Sequence, residues 1–253
     1  MLVLDFDGVL LNSLDDVVLT GYNAATGETI ESLGELPKYY VELLRLNRFH
    51  CQPAGDFILL ANALLGGTKP SNGSLFSKEE YLSIVEGQKA SLKSRTKDFF
   101  EARQRLIEKD ESLWLALNSV YQPLWKEAVK KASEILLLTN KNSDSVLRAC
   151  KHSGLFLNPS NIYSGDGGVT KQENLVKIVG RFPVSQIEFI DDSIKNLTEL
   201  SKFAKENLDI KFNGILANWG FTGPADAEQA LELGFEVREL EAFSLYLKNH
   251  SLS

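Results

Sequence analysis

Asp5 and Asp7 stand two residues apart where a short apolar run ends, in Leu2-Val3-Leu4-Asp5-Phe6-Asp7-Gly8. Residues two apart on an extended chain share a face, so both carboxylates point the same way. Held that close, they repel unless a cation lies between them or one takes up a proton. A metal-assisted reaction meets both conditions, with one acid as nucleophile or ligand and the other as proton carrier. Three more polar sets follow apolar runs or a glycine-rich loop. Thr139-Asn140 follows residues 135–138, Lys171 follows Gly165-Asp166-Gly167-Gly168, and Asp191-Asp192 follows residues 187–190. Each set alone has a plainer reading. Asp5 and Asp7 could be solvated acids at a strand end, Thr139-Asn140 a helix-capping pair, and Lys171 a surface lysine. Asp191-Asp192 could simply favour the start of the next helix electrostatically.

What would bring these groups together is a parallel sheet. Residues 2–6 read as a strand buried on both faces, as parallel strands are. The runs at 135–138, 162–164, 187–190, 214–217 and 235–237 repeat that character, and helical patterns fall at 143–152, 172–179, 194–206 and 225–233. Strands alternating with helices imply a parallel sheet with helices on its faces. In such sheets ligands bind beyond the carboxyl ends of the strands, where the polar sets would lie. From about residue 15 to 127 the pattern is helical, with no convincing buried strand. A helix over 14–27 ends at Gly27, others cover 36–47 and 56–65, and Ser77-Lys78-Glu79-Glu80 reads as a capping box. The stripe Leu92, Phe99, Phe100, Arg103, Leu106 and Ile107 reads as packing between helices. The fold class expected is therefore α/β: a Rossmann-like parallel sheet core at 1–14 and 128–253, with an all-helical domain inserted at 15–127.

The bulk numbers narrow the function. In 253 residues, 27 basic and 34 acidic side chains leave a formal charge of −7. That argues against broad binding to nucleic acid or an anionic membrane, which needs a basic face. Hydrophobic residues make up 43% and charged residues 24%, the balance of a soluble globular protein. Cys51 and Cys150 form no cluster, which suggests a reducing compartment. The first residues lack a signal-type pattern, and no apolar run approaches a membrane span. A cytoplasmic protein is expected. His50, His152 and His250 show no metal-ligand spacing and read as structural or surface residues.

Taken in order, the polar sets resemble the four motifs of the haloacid dehalogenase superfamily, in its branch of phosphatases with an aspartate nucleophile. DFDGVLLNS resembles the first motif and LLLTN the second; Lys171 in GVTKQENL fits the third, and FIDDSIKNL the fourth. The segment beginning WGFTGPAD resembles the usual tail of that fold. The resemblance implies a Mg²⁺-dependent phosphatase acting on a small phosphorylated metabolite through an aspartyl-phosphate. Asp5 would be the nucleophile. Asp7 would be general acid and base, with its carbonyl offered to the metal. Asp5 and Asp192 would hold Mg²⁺, and Asp191 would be a further ligand or a support behind it, standing where many relatives have glycine. Thr139, Asn140, Lys171 and the amides of Phe6 and Gly8 would bind the phosphoryl group. Asn196 stands where some relatives carry another acid, which leaves its role open.

The chemistry is coherent, because an anionic phosphoryl group must be neutralised before a carboxylate can attack it. An acid at Asp7 points away from the dehalogenating and phosphonate-cleaving branches and leaves phosphatase or phosphomutase. A third reading is a non-catalytic member that binds a phosphorylated ligand or a partner. The insertion resembles the helical cap of the family, which closes over the phosphate site and contacts the substrate. Arg45, Arg48, Lys89 and Lys93 are its candidates for contact with the leaving group.

Overall fold

The structure is a computed structural model that describes residues 1–87 and 91–249. The chain divides into two compact units, Met1–Asn12 with Ser119–Ser253, and Ser13–Asn118.

The first unit is built on strands β1 (Leu2–Leu4), β2 (Leu11–Asn12), β3 (Ser119–Val120), β4 (Leu136–Leu138), β5 (Ile162–Tyr163), β6 (Gln186–Asp191), β7 (Lys211–Ala217) and β8 (Glu236–Arg238). Six of them form one sheet in the order β5-β4-β1-β6-β7-β8, and every pairing in it is parallel. Alternation along each strand divides its side chains between two cores. Leu2, Leu4, Leu137, Ile190, Ile215 and Ala217 face one, and Val3, Leu136, Leu138, Ile187, Phe189 and Leu216 face the other. This is why the strands read as unbroken apolar runs: neither face meets water. Burying each of these side chains other than Ala217 stabilises the fold by about 1.5–3 kcal/mol. The first core is closed by residues of three helices, Gln122–Lys130, Ser143–His152 and Leu240–Asn249. The second is closed by Lys171–Arg181, Ile194–Asn207 and Asp226–Glu232. The result is a three-layer α/β architecture.

β1 occupies the centre, with β4 on one side and β6 on the other. The chain fills the sheet first toward β5 and then reverses toward β8. The carboxyl end of β1 is therefore the switch point, where such sheets leave a crevice for ligands.

The second unit, Ser13–Asn118, contains only helices among its described residues. Its main members are Leu14–Thr26, Lys38–Leu46, Gly55–Leu65, Lys78–Glu86, Leu92–Lys109 and Glu111–Ala116. They enclose a separate core that includes Tyr40, Phe57, Phe99 and Trp114. The Ser77–Glu80 capping box is present, with Ser77 and Glu80 each bonding the other's backbone amide.

The expected bounds of the insertion need correction at both ends, and Ser13 and Leu14 belong to the helical unit. Residues 119–127 belong to the sheet unit rather than to the insertion. Ser119–Val120 pairs antiparallel with Leu11–Asn12, a two-residue ladder too short to show any alternation in the sequence. Leu124, Trp125 and Ala128 carry a helical apolar stripe like those of the insertion, but they bury it in the sheet core. Among the described residues, no helix is long and apolar enough to cross a membrane.

Candidate active site

The carboxyl ends of β1, β4 and β6, with the start of the helix Lys171–Arg181, bring Asp5, Asp7, Thr139, Lys171, Asp191 and Asp192 into one region. Asp5 extends the β1 ladder, its amide donating to the Ile190 carbonyl at 2.9 Å. After it the Phe6 carbonyl accepts from Leu10 and Leu11, curling the chain into a tight turn. Gly8 turns with a φ of +81°, a conformation that favours glycine.

Lys171 is the hub. Thr170 caps the helix and Glu173 completes a capping box, which fixes Lys171 as the first helical residue. A cation there faces the positive end of the helix dipole and is almost wholly buried, two costs that need compensation. Its ammonium lies 2.6 Å from Asp191 Oδ2 and 3.2 Å from Asp5 Oδ2, and 5.2 Å above the Phe189 ring. Burial alone would lower the pKa of Lys171, but Asp191 and Asp5 outweigh it and hold the pKa above the ordinary lysine value. A surface lysine this is not.

Asp5 is pushed well above the usual carboxylate range. Burial is the largest cause; Lys171 opposes it, while the charges of Asp191 and Asp192 add to it. The backbone amide of Phe6 favours the ionised form. Its Oδ1 is buried without a hydrogen-bond partner.

Asp191 has both oxygens engaged. Oδ1 accepts from the Ser193 amide at 2.8 Å, Oδ2 accepts from Lys171, and the Asn196 side chain donates to both. That assigns Asn196, undecided from sequence, to the holding of Asp191. Asp192 Oδ2 accepts from the Phe221 amide at 2.7 Å.

Asp7 has a different partner. Lys141 donates to its two oxygens at 3.0 and 3.3 Å, from a side chain that is 1% exposed. Sequence reading passed over Lys141; the signal available was its position two residues after Thr139, inside the same strand-end motif. Thr139 is buried, and its hydroxyl oxygen accepts from the Lys141 amide at 3.2 Å, which leaves the hydroxyl proton for a ligand. Asn140 is exposed, and its carbonyl lies against Gly165, where a Cβ would come within 2.8 Å. The Gly8 amide is removed from the expected phosphate donors, because it donates to the Leu11 carbonyl at 2.8 Å. Gly8 serves by its missing side chain instead: a Cβ there would stand 1.8 Å from Asp192 Oδ2.

The donor set fits a divalent cation. Asp5, Asp191 and Asp192 place carboxylate oxygens within 4.8 Å of one another, all in buried residues. Four site carboxylates, Asp5, Asp7, Asp191 and Asp192, face two site lysines, Lys141 and Lys171, a deficit of two positive charges when all are ionised. With Asp191 already saturated, Asp5 Oδ1 and Asp192 are the better ligands for a small hard ion.

Two of the candidates in the helical unit, Arg45 and Arg48, are otherwise occupied. Arg45 pairs with Asp15, and Arg48 donates to the Cys51 carbonyl and lies over the Phe57 ring. Lys93 is exposed, and Lys89 lies outside the described residues. His50 bonds the Phe76 carbonyl and stacks on Tyr81, His152 is exposed at a helix end, and His250 lies outside the described residues. Cys51 and Cys150 are free and buried.

No family model matches the chain, and no curated protein matches it in sequence. Solved structures do match in fold. A haloacid dehalogenase-like family hydrolase from Streptococcus pneumoniae aligns over 97% of this chain and 95% of its own, with a TM-score of 0.54 at 12% identity. A protein described as a predicted phosphatase from Clostridium acetobutylicum aligns over 97% and 96%, with a TM-score of 0.55 at 13% identity. A haloacid dehalogenase-like protein from Agrobacterium tumefaciens aligns over 96% and 93%, with a TM-score of 0.55 at 16% identity.

Proposed function

We propose that this chain, which has the fold of the haloacid dehalogenase-like hydrolases, hydrolyses a small phosphate monoester through an aspartyl-phosphate on Asp5. The observation that carries the reading is the buried Lys171, spent on Asp5 and Asp191 beside an Asp5 oxygen that has no partner. A lysine that neutralises a nucleophile and an incoming phosphoryl group needs this placement. The phosphatase description of the structural relative from Clostridium acetobutylicum agrees with this chemistry.

In this mechanism the Asp5 carboxylate attacks phosphorus and the bond from phosphorus to the ester oxygen breaks. Asp7 gives the departing alkoxide its proton. Water then attacks the aspartyl-phosphate, its proton passes to Asp7, and inorganic phosphate leaves with Asp5 restored. Thr139 donates its hydroxyl proton to a phosphoryl oxygen, as does the Asn140 amide, and Lys171 keeps the nucleophile oriented. Mg²⁺, held by Asp5, Asp192 and the Asp7 carbonyl, would supply the positive charge still missing from the site. Asp191 acts by holding Lys171 in place. The helical unit serves as the cap that selects the alcohol.

The test is a panel of phosphorylated metabolites assayed for inorganic phosphate with Mg²⁺ present, using the wild type and Asp5→Asn. The expected result is release by the wild type, none by the variant, and none after chelation. An isomeric sugar phosphate in place of inorganic phosphate would identify a mutase. Full turnover by Asp5→Asn would sink the mechanism.

A further inference from the structure

The connection that follows β7, Asn218-Trp219-Gly220-Phe221, touches the candidate site at three places, although the sequence marks it only as the tail of the fold. The Phe221 amide donates to Asp192 Oδ2 at 2.7 Å. The Trp219 indole donates to the Val9 carbonyl at 3.0 Å, across 210 residues of chain, and its ring stacks on Phe243 at 5.6 Å between centroids. Between them Gly220 passes so close that a Cβ would stand 2.4 Å from Asp192 Cβ and 2.5 Å from the Gly8 carbonyl oxygen. Opposite lies Gly8, whose own Cβ would meet the same Asp192 carboxylate and would also approach Phe221 at 3.0 Å. Asp192 is thus gripped by glycine backbone on two sides, with its carboxylate orientation set by an amide on the loop.

We propose that Trp219, Gly220 and Phe221 form a brace that positions Asp192 for a divalent cation and fixes its distance from the turn carrying Asp5 and Asp7. The inference rests on the metal-dependent reading above and deepens it. The Phe221 amide occupies one oxygen of the Asp192 carboxylate, so Asp192 meets the cation in a set orientation. The Trp219 bond to Val9 ties the loop to the first turn, so the two sides of the metal site move as one piece. Partners behind a metal ligand act through orientation, and their loss typically costs about 10–100-fold in metal affinity.

The experiment titrates MgCl₂ into the whole metal-free protein by calorimetry and by the rise in Tm that the ion produces. Three proteins are compared: wild type, Gly220→Ala and Trp219→Phe. Trp219→Phe keeps an aromatic ring against Phe243 and removes the indole donor. The expected result is Mg²⁺ affinity about tenfold or more weaker in Gly220→Ala and several-fold weaker in Trp219→Phe. With activity as a second readout, the Mg²⁺ concentration for half-maximal rate should rise while kcat at saturating Mg²⁺ recovers toward that of the wild type. A merely structural loop would lower Tm equally with and without the ion and leave the affinity unchanged. Affinities within about twofold of wild type in folded variants overturn the proposal. If Gly220→Ala does not fold, Trp219→Phe decides alone. A wild type that binds no Mg²⁺ overturns the metal-dependent reading and the brace together, an outcome distinct from variants that bind as well as a binding wild type.

Discussion

Replacing Lys171 with methionine removes the cation that bridges Asp5 and Asp191 while keeping a side chain of similar length. The side chains of Lys171, Asp5 and Asp191 are 5%, 9% and 0% exposed, so water cannot take over the lost role. Removing one partner of a buried ion pair costs about 3–5 kcal/mol, because the remaining charge is stranded. For a chain of this size each kcal/mol moves Tm by about 2–4 °C, so the metal-free variant should melt about 6–20 °C lower near pH 8. The loss should also depend on pH. In the wild type the raised pKa of Lys171 keeps it charged, and its contribution persists up to and beyond the ordinary lysine value of about 10.4. In the variant the chief influence that lowers the Asp5 pKa is gone, while burial, Asp191 and Asp192 still raise it. A carboxyl whose folded pKa lies above its unfolded value of about 3.9 holds its proton better when folded, so stability falls as pH rises above that value. The deficit against wild type should therefore be small at pH 5 and grow toward pH 8, and Mg²⁺ should restore part of it. Melting curves by circular dichroism in chelator, at several pH values, read this directly. A pH-independent deficit, or one of less than about 2 °C at pH 8, would refute the stranded-charge reasoning.

Asp7→Asn should slow hydrolysis of alkyl phosphates far more than of aryl phosphates, whose weakly basic leaving group needs little protonation. A burst of phenolate followed by slow turnover would mark the trapped aspartyl-phosphate; equal losses on both substrates would remove Asp7 from proton transfer. Lys141→Met should reproduce this leaving-group dependence more weakly, with alkyl turnover down about tenfold, because Asp7 loses the partner that holds its carboxylate. Lys141→Arg should recover part of the rate, and an unchanged alkyl-to-aryl ratio in the methionine variant would separate Lys141 from the reaction. In the helical unit, Arg103→Met strands the fully buried Asp16, which Arg103 meets at 2.9 Å, and should cost about 3–5 kcal/mol in urea unfolding. A cost under about 1 kcal/mol would mean that the pair contributes little to that unit.

Much of the sheet was legible because parallel strands buried on both faces must be apolar throughout, as Leu2–Leu4 and Leu136–Leu138 are. Asp5, Thr139 and Asp192 were legible for a related reason: a polar residue right after such a run marks the strand's carboxyl end. Lys171 was readable only through its place in the motif order, since nothing in GVTKQENL says that its side chain is buried. Lys141 was missed because a lysine beside Asn and Ser looks like the solvated start of a helix; its pairing with Asp7 spans 134 residues and leaves no local trace. The Gly8 amide was misassigned because a glycine after a strand suggests an anion-binding turn, whereas the turn satisfies that amide internally. The end of the insertion was misplaced because an amphipathic helix does not declare which core it faces.

The central position of β1 sets an order of events during synthesis. Leu4 pairs with Leu137 on one side and Ile190 on the other. The pairing begins where the Met1 nitrogen donates to the Gln186 carbonyl, 185 residues further on. At translation rates of about 5–20 residues per second, the edge that pairs with β4 stays open for roughly 7–27 s and the edge that pairs with β6 for roughly 10–40 s. The helical unit is one continuous stretch of sequence built of helices, so it can fold well within that time. A nascent chain that pauses between residues 118 and 136 would then carry a finished helical unit and a Leu-Val-Leu strand uncovered on both edges. That intermediate, rather than the completed molecule, is where chaperone demand and aggregation should concentrate.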